Sequence, residues 1–519
     1  MITDLPVGVF SLKWFPNGKE IAFGANILPE YEGVFEKLAD LIQEKRKNKV
    51  SAIATENHLF RYWDRWMTDG YYPRLFKVDI ETKKVTDLMP NTSNYFNLSG
   101  GISYDISPDG KQIVLSMNNT EPPYERLNYD IFLLTTDGSG KLINITQENI
   151  ANDLKPVFSP DGNFILYGKK TIPHFYADRV ELMIYNLNNG TTRSLTGDID
   201  LSCDDWIWSA DGKTIYFEAQ MNAQSCFFSI SSQGGKHSVI LNKGTNGAMS
   251  LAGVKKNELL FTYHDLNMPT EIYKIDIKSL KKIKLTSFND ERLSKLKFGK
   301  IEDITYKGAN NADIQMFIVY PPDFQPDKKY PLVLMIHGGP HGTFGDYWHY
   351  RWNAHLFAAP GYVVAVPNFH GSTSFGQAFA ISIHGEHANK PFEDIMKATD
   401  YMISRGFIDE SKMAATGGSY GGYMVSWIAG HTDRFAALVN HAGVYDLHLQ
   451  FASDLSANRV YQYGGTPWEN YDVLNSQNPS QFAHNFKTPM LIIHGELDYR
   501  VPVAHAFLVY NIYKLMGID

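Results

Sequence analysis

One short pattern recurs through the first half of the chain and narrows the folds open to it. It reads WFPNGKEIAF (14–23), ISPDGKQIVL (106–115), FSPDGNFILY (158–167) and WSADGKTIYF (208–217). The turn residues Asn17, Asp109, Asp161 and Asp211 stand 92, 52 and 50 positions apart, and VKKNELLF (254–261) is a worn fifth copy. Asn-Gly and Asp-Gly suit tight turns because both residues tolerate positive φ. A second strand, a short turn and a third strand follow each copy: RLFKVDIETKKVTDL (74–88), DIFLLTTDGSGKLINIT (130–146), ELMIYNLNNGTTRSLT (181–196), FFSISSQGGKHSVIL (227–241) and EIYKIDIKSLKKIKLT (271–286). Strand units repeating at about 50 residues predict a β-propeller. A lone blade cannot bury both of its faces, so blades must stack. An ordinary β-sandwich with similar turns is the alternative.

The first unit carries a long insertion. It holds a charged, helix-patterned stretch, EYEGVFEKLADLIQEKRKNKV (30–50), and an aromatic run, RYWDRWMTDGYYPRLF (61–76). Aromatic clusters usually fill cores, so the run is expected to pack the insertion rather than line a cavity.

Near residue 290 the pattern changes. Apolar runs PLVLMIH (331–337), YVVAVPN (362–368), KMAATGG (412–418), AALVNHAG (436–443) and PMLIIHG (489–495) are separated by helical stretches such as 391–406 and 503–517. Continuous apolar strands between helices predict a parallel sheet covered on both faces. The expected fold is therefore two-domain: a β-propeller over 1–290, with about five blades present, and an α/β unit over 291–519.

Composition excludes several classes of function. Hydrophobic residues make up 44% and charged residues 20%, so the chain is not disordered. With 48 basic and 56 acidic side chains, the net charge of −8 argues against a nucleic-acid partner and against a polybasic membrane anchor. No apolar run approaches the ~18 residues of a membrane span. Cys203 and Cys226 are the only cysteines, which rules out a disulfide framework; two buried free thiols are expected, with one bridge as the alternative. No CxxC occurs, so thiolate zinc and thioredoxin-type redox chemistry are excluded. The opening MITDLPVGVFSLKW lacks the basic start and apolar run of a signal peptide.

The chemistry lies in the second half. TGGSYGGYM (416–424) follows an apolar strand and opens a helix, and Gly417-Gly418-Ser419-Tyr420-Gly421 fits G-x-S-x-G. A strand-to-helix turn this sharp needs glycines beside the serine and presents the Ser419 hydroxyl above the sheet as a nucleophile. The Tyr420 N–H then faces the forming oxyanion at a helix N-terminus. IHGGPHG (336–342) ends an earlier strand, and its Gly339 is the expected second oxyanion donor. HGELDYRVP (494–502) ends a later strand and places Asp498 where the acid of a Ser–Asp–His series belongs. A helix-capping role is the alternative for Asp498. Arg500 is a fixed donor fork beside that acid, with a surface salt bridge as its alternative.

With these motifs in place, the chain resembles the prolyl oligopeptidase family of serine peptidases, and within it the branch of bacterial dipeptidyl peptidase 5 and acylaminoacyl-peptidase enzymes. The resemblance extends over essentially the whole chain, tighter in the hydrolase half than in the propeller. It implies an α/β-hydrolase fold capped by a propeller that admits short peptides, no cofactor and no metal. It implies that Arg500 contacts the carbonyl of the second substrate residue. It also implies a periplasmic or secreted full-length form.

The family pattern is incomplete here. Its histidine follows one more strand after the acid, whereas this sequence runs only 21 residues past Asp498, as one helix. His505 lies inside that helix, His494 precedes the acid, and His337 and His341 flank the glycine turn; none fits the expected order. About five blades also fall short of the roughly seven or eight usual in such propellers. The expectation is an internal piece of a longer enzyme, lacking both ends and largely inactive without its base. His384, Glu386 and His387 in HGEH lack the i, i+4 histidine pair of a zincin, so no metal is expected. Three readings remain: a serine exopeptidase releasing dipeptides from short peptides, an acylaminoacyl peptidase or esterase, and an inactive peptide-binding relative. Short peptides are the expected partners; a homodimer stays open.

Overall fold

In the computed structural model the chain is described over residues 2–31, 33–90, 92–251 and 258–519. The worn repeat at 254–261 therefore lies partly outside the described residues, which resume with strand Glu258–Asp265.

Each of the four clear repeats supplies the turn that joins the first two strands of a four-stranded antiparallel blade. The first blade joins Val9–Trp14, Glu20–Ile27, Tyr72–Asp79 and Val85–Asp87. The second joins Tyr104–Ile106, Gln112–Asn118, Tyr129–Thr135 and Leu142–Asn144. The third runs from Asp153–Phe158 to Thr192–Ser194, the fourth from Cys203–Trp208 to Ser238–Leu241, and the fifth from Thr245–Leu251 to Lys282–Lys284. The last two share one parallel pairing, Ser225 with Thr245.

The repeated Ser-x-Asp-Gly turn has a local cause. The Ser107 hydroxyl donates to Asp109 Oδ1 at 2.7 Å and accepts from the Gln112 N–H at 2.9 Å, while Asp109 Oδ1 also takes the Lys111 N–H. The same set recurs at Ser159–Asp161–Phe164 and Ser209–Asp211–Thr214. These bonds satisfy turn amides that would otherwise be orphaned. Successive turns also nest: Gly162 stands over Pro108, and Gly212 over Pro160.

Apolar residues on neighbouring blades fill the space between them. Cys203 and Cys226 lie in one such core as free thiols, and burial pushes them up to about 12 and about 11.

The second half forms one seven-stranded sheet. Its order is Ile301–Lys307, Asp313–Val319, Val363–Asn368, Tyr330–Ile336, Ile408–Gly418, Ala437–His441, Met490–Ile493. The first two pairings are antiparallel and the others parallel. Parallel strands need crossovers, and helices such as Asn389–Ser404 and Tyr420–His431 supply them. Leu332, Leu334, Ala365, Ala415 and Leu438 bury the sheet's interior against these helices. The carboxyl ends of the parallel strands carry the loops that build the site. No helix among the described residues is long and apolar enough to cross a membrane.

Candidate active site

Ser419 stands between strand Ile408–Gly418 and helix Tyr420–His431, with φ 56° and ψ −116°. A non-glycine residue in this region is strained, and a nucleophile elbow stores such strain. Any side chain at Gly421 would collide with the Ile336 carbonyl. The Ser419 N–H is held by His441 O at 2.9 Å, and its own hydroxyl has no partner among the described residues.

The glycine turn lies against this elbow. A Cβ on Gly338 would come within 2.9 Å of Gly418 O and 3.3 Å of Ser419 Cβ, so the two backbones nearly touch. Gly339 has φ +132°. Among the described residues neither the Gly339 nor the Tyr420 N–H has an acceptor, which leaves two backbone donors beside the serine.

Ser419 and Gly339 open into a cavity of about 450 Å³ that His387, Tyr463, Arg459 and Arg500 also line. Trp63, from the aromatic run of the first-blade insertion, forms part of its wall. The expectation that this run merely packs the insertion is therefore corrected. Its two-stranded ladder, Arg61–Tyr62 with Arg65–Trp66, docks on the hydrolase: Arg61 donates to Ala452 O at 2.7 Å, and the Tyr499 N–H donates to Trp63 O at 2.7 Å.

Asp498 sits at the end of the strand-turn segment as expected. Its Oδ1 accepts the Arg500 and Val501 N–H groups at 2.9 and 2.8 Å, and its Oδ2 is 3.8 Å from His494 Nε2. Arg500 forms an ion pair, but not on the surface. Its Nε and Nη2 donate to the two oxygens of Asp454 at 2.7 and 2.9 Å, and the Trp63 ring covers its guanidinium at 4.0 Å. Asp454 is 4% exposed and also accepts the Trp63 N–H at 2.9 Å. Nothing local in the sequence marks Asp454 or Trp63 for this place. Arg459 has only neutral partners, Ser453 Oγ and Gln462 Oε1, among the described residues.

The histidines divide clearly. His337 is pushed down to about 4 by burial, and its ring nitrogens meet Gly338 O and Ser372 Oγ. His341, also about 4 through burial, bonds Gly371 O. His505 is held near 3 by burial and accepts the Tyr445 and Asp446 N–H groups. His494 Nε2 meets Val501 O at 2.7 Å. His387 lines the cavity, lies near 3 through burial, and leaves Nε2 unpartnered. No imidazole among the described residues bonds both Ser419 and Asp498. In HGEH, Glu386 pairs with Asn389 and Lys390, and no cluster of three metal-type ligands occurs among the described residues.

The profile of the prolyl oligopeptidase family (peptidase S9) matches residues 348–518. Dipeptidyl-peptidase 5 of Porphyromonas gingivalis is 30% identical over 527 residues, which cover 98% of this chain and 75% of that protein. The chain belongs to the prolyl oligopeptidase family. Another member, dipeptidyl-peptidase 5 of Aspergillus fumigatus, is 31% identical over 499 residues, covering 90% of this chain and 69% of that protein. Among solved structures, the acylaminoacyl peptidase of Pyrococcus horikoshii superposes with a TM-score of 0.80 at 21% identity, over 98% of this chain and 76% of that one. This likeness carries the fold, propeller blades joined to an α/β-hydrolase sheet. Both dipeptidyl-peptidase 5 relatives are described as peptidases, and an inactive reading has no support.

Proposed function

We propose that this protein is a serine exopeptidase that releases dipeptides from the free N-termini of short peptides. The observation that carries the reading is that Ser419, the Gly339 turn and the clamped Arg500 share one cavity walled by the propeller insertion. A wall on that side limits how far a substrate extends beyond the scissile bond. Ser419 Oγ attacks the scissile carbonyl carbon as its proton passes to a general base, a place that no imidazole among the described residues fills by bonding both Ser419 and Asp498. The Gly339 and Tyr420 N–H groups hold the oxyanion. The intermediate collapses to an acyl-enzyme as the amine leaves with that proton, and water then releases the dipeptide. Arg500 holds the carbonyl of the second residue, its direction fixed by Asp454.

Acylaminoacyl-peptide cleavage is a second reading, favoured by one observation. No carboxylate among the described residues lines the Ser419 cavity to receive a free ammonium group. Asp454 lies next to it, but both of its oxygens are already bonded.

Incubation with a free hexapeptide and its N-acetyl form, read by mass spectrometry, separates the two. Dipeptide from the free peptide, lost in Ser419→Ala, supports dipeptide release. Cleavage of the acetylated peptide alone overturns it.

A further inference from the structure

The glycine turn that carries Gly339 is held from two directions. From its own domain, His341 Nδ1 meets Gly371 O at 3.0 Å, and the Thr373 N–H donates to Gly342 O at 3.0 Å. From the propeller, a loop between the second and third strands of the third blade reaches across the interface. Its Tyr176 hydroxyl oxygen accepts the His341 N–H at 3.1 Å. The rings of Phe175 and Tyr176 stand edge-on to the His341 imidazole at 4.9 and 5.4 Å.

The loop arrives already braced. Asp178 Oδ2 accepts the Thr171 and Ile172 N–H groups at 2.6 and 2.7 Å, and Lys170 Nζ donates to Tyr176 O at 2.6 Å. It is fastened to the hydrolase a second time through Gln377. That side chain donates to Asp178 Oδ1 at 2.8 Å and accepts the Arg179 N–H at 3.0 Å. Two bonds thus fix where the loop sits, and Tyr176 passes that placement to His341, two residues from Gly339. His341 is buried, so its N–H has a strong need for the one acceptor it finds.

We propose that Tyr176 is a positioning residue, contributed by the propeller, that sets the Gly339 N–H in line for the oxyanion. Docking of the propeller and assembly of the oxyanion hole are then one event. The proposal rests on the reading of Gly339 as an oxyanion donor. Losing such a donor outright lowers turnover by 10²–10³-fold, so losing its alignment lowers it by about 10-fold.

The test uses Tyr176→Phe, which removes one oxygen and keeps the ring, and Gln377→Leu, which loosens the loop away from the cavity. Two quantities are read in the full chain: kcat and KM on a dipeptidyl amide, and the rate constant for Ser419 labelling by a fluorophosphonate, whose phosphoryl oxygen uses the same donors. Tyr176→Phe is expected to lower kcat and the labelling rate together by about 10-fold, with KM unchanged. Gln377→Leu is expected to lower both less, in the same ratio. Unchanged labelling in Tyr176→Phe overturns the proposal, as does a rise in KM alone, which would make Tyr176 a substrate contact. If the wild-type chain is labelled but releases no dipeptide, the dipeptidase reading fails while slower labelling of Tyr176→Phe still supports this proposal.

Discussion

Arg500 and Asp454 are joined by two parallel hydrogen bonds, 2.7 and 2.9 Å long, at the edge of the serine cavity. The Asp454 side chain is fully buried and that of Arg500 is 21% exposed. Removing one partner of such a pair strands the other charge, at a cost of about 3–5 kcal/mol. Asp454→Ala is therefore expected to lower the urea midpoint substantially and to raise KM for dipeptidyl substrates. A variant with wild-type stability and KM would show that the pair holds nothing in place.

Trp63 covers the Arg500 guanidinium and walls the cavity. A cation–π contact of this kind is worth about 0.5–2 kcal/mol. Trp63→Ala is expected to raise KM by roughly 2–30-fold, with the rate of Ser419 labelling by a small fluorophosphonate unchanged. Product analysis should show loss of strict product length. Equal KM in both proteins would remove Trp63 from substrate binding.

Ser419 holds a positive φ that glycine adopts without strain. Ser419→Gly is expected to abolish fluorophosphonate labelling and to stabilise the chain by about 1 kcal/mol, seen as a higher urea midpoint. A lower midpoint would place the strain elsewhere.

Asp153 lies in the third blade at 0% exposure, and its Oδ2 has no partner. Burial, opposed by bonds from Thr146 and Asn149, pushes its carboxyl up from 3.8 to about 7. Between those values the folded chain keeps a proton that the unfolded chain releases, so stability is greatest below about pH 4 for this group. It falls as pH rises to about 7, by on the order of 1 kcal/mol per unit. Asp153→Asn should flatten that slope and be more stable than wild type at pH 8. Parallel stability–pH curves for the two proteins, measured by urea denaturation, would contradict this.

The local grammar of the chain is legible without coordinates. The Ser-x-Asp-Gly turns announce the second, third and fourth blades because the serine and aspartate that satisfy each turn lie within five residues of the amides they bond. The elbow at Ser419 and the turn at Gly339 are readable for a related reason: only glycine fits where Gly421 meets Ile336 O, and where the two backbones approach. Asp498 follows from strand order. Trp63, Asp454 and Tyr176 are different. Trp63 bonds a residue 391 positions away and Tyr176 one 165 away, and neither stands in a pattern that names its partner. The aromatic run reads equally well as core filling until the propeller is seated on the hydrolase. Turn and strand chemistry is short-range, so sequence alone determines the blades, the sharp turn at Ser419 and the glycine turn at Gly339. What surrounds Ser419 depends on two surfaces meeting, and only the tertiary structure decides that.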